Sequence, residues 1–164
     1  MTETSADKSY YILNIGTSQN IGRAPVEDRT LSPKPILTLP HNATVNSKWQ
    51  YGPLTSNLYQ LSISGSPAGV ADSGRSGSEK FLFGILQDGG GGEVKPWVLE
   101  KWNNGTIGPA YIIRDSENPA KVWTASDEAI GSIGPDYKRI ALEDYQSGNL
   151  KQIFAFMSNP VGSQ

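Results

Sequence analysis

Cysteine is absent from the 164 residues, which excludes a disulfide framework and any thiolate nucleophile or metal ligand. Histidine is nearly absent: the single copy, His41, follows Pro40 in a turn-rich stretch. A Ser-His-Asp triad needs a histidine oriented by a carboxylate beside an activated hydroxyl, and no Gly-x-Ser-x-Gly elbow is present. A zinc site needs three or four closely spaced ligands, and the chain does not supply them. Paired acids do occur, as Glu27-Asp28, Asp127-Glu128 and Glu143-Asp144. Adjacent carboxylates in turns read as solvated charge, because nothing marks them as an acid/base pair. The glycine run "DGGGGEV" (88–94) lacks the Gly-Lys-Ser/Thr ending of a phosphate loop. The expectation is a chain that is not an enzyme and carries no cofactor and no metal.

An excess of either charge is also missing: 14 basic against 16 acidic side chains give a net charge of -2. Nucleic-acid binding calls for a clustered basic face, so it is not expected. No stretch approaches the roughly 18 apolar residues of a membrane span. The opening "MTETSADKSY" is polar and has no apolar core of a secretory leader. The expected protein is soluble, cytoplasmic and monomeric, with no membrane partner.

What the chain does contain is glycine (18) and proline (11) in quantity, with hydrophobics at 37% and four tryptophans. That hydrophobic content argues for a packed core rather than disorder. Apolar residues come in short β-branched or aromatic bursts bounded by Gly, Pro, Asn, Asp and Ser, which is a strand-and-turn pattern. The bursts are YYILNI (10–15), ILTL (36–39), KWQY (48–51), LYQLSIS (58–64), KFLFGIL (80–86), PWVLEKW (96–102), AYIIRD (110–115), KVWTAS (121–126), KRIALED (138–144) and KQIFAFM (151–157). The class is all-β.

Three bursts look alike, at Tyr11, Tyr59 and Tyr111, spaced 48 and 52 residues apart. Trp49 follows Tyr11 by 38 residues, Trp97 follows Tyr59 by 38, and Phe154 follows Tyr111 by 43. Periods of about 20–50 residues mark repeat architecture. Three units of four strands describe a β-trefoil, a six-stranded barrel closed by three hairpins. Tyr11, Tyr59, Tyr111, Trp49, Trp97 and Phe154 then read as core. Residues 10–158 form one domain on this reading, with flexible polar segments over 1–9 and 159–164.

Function is then expected in a loop that the barrel holds out. The run "GRAPVEDRTLSPKPI" (22–36) sits between the second and third strands of the first unit. A loop this long in a compact domain is usually functional or disordered, and composition alone leaves solvated surface as an equal reading. Pro25, Pro33 and Pro35 fix φ and bias their neighbours toward extended backbone. Preorganisation of this kind lowers the cost of docking, and an arginine at the centre suits the aspartate-floored pocket of a trypsin-type protease.

That run, on a cysteine-free trefoil opening with YYILNI, resembles the mushroom β-trefoil serine protease inhibitors of the cospin-like kind. The resemblance covers most of the chain and is strongest from Tyr11 to Leu39. It implies that the loop over 24–35 enters a trypsin-like protease, with Arg29 in the primary pocket and Arg29-Thr30 as the reactive bond. Glu27, Asp28, Leu31 and Ser32 would flank it. The implied role is defence against animals that feed on the fungus. Cnispin-like members use a later loop with a lysine; the corresponding stretch here, EDYQSGN (143–149), has no basic residue at its centre.

Three other basic residues compete with Arg29. Arg23 adjoins a strand and is expected to pair with Glu27 or Asp28, Lys34 is flanked by prolines, and Arg75 lies in the unconstrained DSGRSGS. Two other functions remain open. A ricin-B-type lectin repeats Gln-x-Trp, and the chain offers only the partial match QIF (152–154). A mycocypin-type cysteine-protease inhibitor would leave the arginine-centred loop unexplained.

Overall fold

The computed structural model describes residues 9–24, 27, 32–41, 48–55, 57–71, 81–86, 92–102, 109–130 and 133–157. Among them lie fourteen strands: β1 (Ser9–Asn14), β2 (Gln19–Gly22), β3 (Lys34–Pro35), β4 (Leu37–Thr38), β5 (Trp49–Thr55), β6 (Leu58–Ile63), β7 (Ser66–Ala71), β8 (Leu82–Gly84), β9 (Gly92–Val94), β10 (Trp97–Trp102), β11 (Ala110–Asp115), β12 (Lys121–Ile130), β13 (Gly134–Asp144) and β14 (Phe154–Met157). The described helical structure is one short 3-10 turn, Leu150–Gln152. Each apolar burst of the sequence overlaps one of these strands.

Pairing is antiparallel and closes on itself. One path runs β10-β11-β12-β13-β4-β2-β1-β5-β6 and returns to β10, a closed circuit of nine strands. Because β14 bridges β1 and β11, a shorter circuit of six runs β1-β5-β6-β10-β11-β14. The strands off this inner circuit pair as β2 with β4, β7 with β8, and β12 with β13. Closure gives each strand of the inner circuit a partner on both sides among the described residues, which protects it from edge-to-edge addition.

Period-two alternation explains how the inner strands serve two apolar layers. On β11, Tyr111 and Ile113 face the main core, while Ala110 and Ile112 face a second cluster. On β14, Phe154 and Phe156 point to the first and Ala155 and Met157 to the second. The same rule corrects one expectation. It is Tyr10, not Tyr11, that packs against the main core beside Ile12. Tyr11 points the other way and lies under the Lys48 ammonium, 5.5 Å from its ring centroid. The ladder shows the correspondence directly: Tyr10 pairs with Trp49, Tyr59 with Trp97, and Tyr111 with Phe154. In a tyrosine doublet a one-residue slip exchanges the two faces, so spacing alone chose the wrong member.

The centre of the core is Trp123, with no exposed surface. Its ring meets Trp49 at 5.7 Å, Trp97 at 5.5 Å and Phe154 at 5.8 Å between centroids. The hairpin registers place Trp123 opposite β11 as Ile21 lies opposite β1 and Ala68 opposite β6. The indoles of Trp49 and Trp97 donate to the carbonyls of Ile21 and Ala68, at 2.9 and 3.4 Å. Phe154 has no N–H to give at the third place. There the largest side chain stands on the hairpin strand, at Trp123, and its own indole N–H has no hydrogen-bond partner among the described residues.

Trp123→Ala should lower unfolding stability by about 3–5 kcal/mol in a urea titration, the cost of a large buried cavity, and Trp123→Phe by clearly less. A second prediction concerns pH. Burial raises the Tyr111 phenol above its ordinary 10.0, and the like charge that Tyr59 and Tyr10 acquire on ionising raises it further. The unfolded chain therefore releases this proton first as pH climbs. Stability from this site is intact below about pH 10 and falls above it. Alkaline destabilisation should be shallower in Tyr111→Phe than in the parent, measured by thermal unfolding across that range.

Candidate functional site

The loop that leaves β2 and returns at β3 has two stems, and both are tied to the body of the protein. On the incoming side Ala24 is buried against Leu37 and Leu39. Arg23 before it makes three hydrogen bonds. Its Nε donates to Glu27 Oε2 at 2.9 Å and its Nη2 to Glu27 Oε1, a forked pairing. Its Nη1 donates to Ser66 Oγ at 3.1 Å.

Ser66 is itself fully buried, and its hydroxyl donates to the Ile63 carbonyl at 2.7 Å. It is delivered there by a two-residue hairpin turn, Ser64-Gly65, with φ of 52° and 78°. Positive φ at both turn positions matches the twist of a tight hairpin. Gly84 completes the enclosure. A Cβ at that position would come within 2.5 Å of Ser66 Oγ and 3.7 Å of Arg23 Cδ, so no side chain fits.

On the outgoing side Pro33 is buried and Lys34 is only 3% exposed. Lys34 and Pro35 pair with Gly84 and Phe83 of β8. Ile36 donates to the Leu82 carbonyl at 3.1 Å and accepts from Ile140 N–H at 3.1 Å. Pro33 also packs against the β9 backbone, its Cγ 3.3 Å from where a Cβ on Gly92 would stand.

The sequence-predicted site residues divide accordingly. Asp28, Arg29, Thr30 and Leu31, with the rival Arg75, lie outside the described residues. Glu27 and Ser32 are half-buried at the two ends of the span. Arg23 pairs with Glu27 as its neighbourhood suggested, and both oxygens of that carboxylate are occupied by the guanidinium. Lys34 is buried, which removes it as a side chain for a protease pocket. Ser66 and Gly84, which complete the incoming stem, were not singled out by sequence: they are 43 and 61 residues from Arg23 and carry no local motif.

Elsewhere, His41 is exposed, and its Nε2 lies 3.0 Å from the Ser18 carbonyl. Gln152 and Phe154, the partial Gln-x-Trp match, are both fully buried. The Gln152 amide is spent on Thr124 Oγ1, the Asp144 carbonyl and the Gln146 N–H.

Among solved structures, a proteinase inhibitor from Coprinopsis cinerea superposes with a TM-score of 0.71 at 17% identity, over 92% of this chain and 97% of its own. The Macrolepiota procera ricin B-like lectin, solved in complex with lactose, gives 0.60 at 17% identity over 96% and 100%. The designed three-fold symmetric protein ThreeFoil gives 0.63 at 13% identity over 92% and 99%. These likenesses establish the fold as that of the β-trefoil proteins. No curated protein sequence shows a significant match. The family model described as Peptidase inhibitor I66 matches residues 3–158, nearly the whole length. The chain belongs to the peptidase inhibitor I66 family.

Proposed function

We propose that the protein is a monomeric inhibitor of trypsin-like serine proteases, acting through the loop over residues 24–35. Its scaffold is a trefoil of three four-stranded units, and the loop joins the hairpin strands of the first. Arg29 enters the primary specificity pocket, Arg29-Thr30 is the reactive bond, and Asp28, Leu31 and Ser32 flank it.

The observation that carries this reading is the state of the loop's other two basic residues. Arg23 is held by Glu27 and Ser66, and Lys34 is buried in β3. Arg29 is left as the basic residue of the run for a pocket floored by aspartate. The fixed stems add support. An inhibitor differs from a substrate in meeting the cleft already ordered, which reduces the entropy lost on docking. The family assignment supports protease inhibition independently of the choice of residue.

In a protease–inhibitor interface a few buried anchors dominate the energy. Removing this one would leave the pocket's aspartate unpaired, at a cost of roughly 2–5 kcal/mol. Arg29→Asn should therefore raise the inhibition constant for trypsin by at least about 30-fold, since 1.4 kcal/mol is a factor of ten. The thermal midpoint should stay unchanged, and Arg75→Asn should inhibit like the parent. A parent that fails to inhibit trypsin at micromolar concentration would remove the proposal. Full inhibition by Arg29→Asn would move the reactive site elsewhere.

A further inference from the structure

We infer that Arg23 is a positioning residue, the centre of a clamp that decides whether the loop behaves as an inhibitor or as a substrate. This rests on the loop being the inhibitory segment. The clamp is the forked Arg23–Glu27 pair together with the Arg23–Ser66 hydrogen bond. Glu27 lies two residues before Arg29 in the sequence and Arg23 six before it, so the pair ties Glu27 to the scaffold close ahead of the reactive bond.

Three features make this more than a surface ion pair. The side chains of Arg23 and Glu27 are only 16% and 17% exposed, so solvent screens them little. The guanidinium spends its planar fork on one carboxylate while a third N–H reaches a different strand, a combination a lysine cannot reproduce. The far end is rigid, because Ser66 is fully buried and anchored to Ile63. Glu27 is thereby fixed to the β6–β7 turn through two side chains. On the other side of Arg29 the β3–β8 pairing does the same for Lys34 and Pro35.

The chemistry explains why both sides are needed. The protease serine oxygen adds to the Arg29 carbonyl. Its proton passes to the nitrogen of Thr30, the Arg29-Thr30 amide breaks, and an ester to the enzyme and a free amine result. While both stems hold, that amine stays beside the ester, attacks it, returns the serine hydroxyl and restores the peptide bond. If the incoming stem loosens, the scaffold carries the amine away. Water then cleaves the ester, leaving a carboxylate on Arg29 and a free enzyme. Fixed product geometry thus favours resynthesis over release, an effective-concentration effect.

The test compares Arg23→Met, Glu27→Gln, the double variant and Ser66→Ala, using trypsin as the probe. Two quantities are read: the inhibition constant, and the rate of cleavage between Arg29 and Thr30 under catalytic trypsin, followed by mass spectrometry. Each of the first two variants should raise the inhibition constant about tenfold and speed cleavage by a similar factor. The double variant should be little worse than either, because contacting pairs are non-additive. Ser66→Ala removes the Arg23–Ser66 hydrogen bond together with the Ser66–Ile63 one and keeps the ion pair, so it should move both readings the same way by less. It also serves as the decisive variant should Arg23→Met fold poorly.

Parent-like inhibition and cleavage in Arg23→Met and Glu27→Gln, with folding intact, would overturn the clamp. A weaker inhibitor whose cleavage rate is unchanged would also overturn it, since Arg23 would then be an ordinary contact. If the parent itself does not inhibit trypsin, the proposed function fails, but the clamp still stands or falls on whether the parent is cut more slowly than Arg23→Met.

Discussion

The indole of Trp123 is the point on which the rest of the structure depends. It stands where Trp49, Trp97 and Phe154 converge, and the inner strands close around those four rings. Both stems of the candidate loop trace back to it. Trp123 lies on β12, which is zipped to β13, and Ile140 on β13 donates its N–H to the Ile36 carbonyl beside the outgoing stem. On the incoming side Trp49 packs on Trp123 and donates its indole N–H to the carbonyl of Ile21, two residues before Arg23. The two stems of the loop are thus tied to what fills the centre of the barrel.

This dependence explains an asymmetry inside an otherwise repetitive core. Ile21, Ala68 and Trp123 stand on β2, β7 and β12, while β5, β10 and β14 contribute Trp49, Trp97 and Phe154 to the same core. A closed barrel has a limited interior, and close packing penalises both voids and excess volume. Two indoles from the barrel strands pair with small or medium residues on their hairpins. The third position reverses the order, with the smaller ring on the barrel strand and the indole on the hairpin. The Trp123 N–H, without a partner among the described residues, is the cost of that reversal, of order 1–3 kcal/mol for a buried donor left unsatisfied.

Much of this was legible in the sequence because the signals were periodic. Each strand burst carries its own turn residues, and intervals of 39, 38 and 43 residues, counted from Tyr10, Tyr59 and Tyr111, tie aromatic positions together across the chain. Two things were not legible. The Tyr10-Tyr11 doublet offers two choices one residue apart, the 38-residue interval points to the wrong one, and only the ladder shows which phenol faces inward. Trp123 sits in the burst KVWTAS, and nothing local announces that three other aromatic rings will surround it. Around the loop the division is the same. The Arg23–Glu27 pair is four residues apart and visible in the sequence, whereas Ser66 and Gly84 join it only after β6, β7 and β8 have paired.

The same contrast bears on why this loop, among several polar ones, suits an inhibitory role. Arg75 and Arg29 are both arginines in long polar runs, but their surroundings differ in kind. DSGRSGS is rich in glycine and serine, residues that leave the backbone many conformations to lose on docking. APVEDRTLSPKP carries Pro25 near its start and Pro33 and Pro35 at its end, and Arg23 just before it and Lys34 within it are fixed by contacts to strands far away in sequence. A protease cleft accepts either arginine as a substrate side chain. What separates inhibition from digestion is how little freedom the bound segment gains when its peptide bond is cut. That freedom is set outside the loop, by Ser66, Gly84 and the tryptophan core behind them. The specificity of such a loop can therefore change by substitution at one reactive position, while its resistance to cleavage stays with the scaffold.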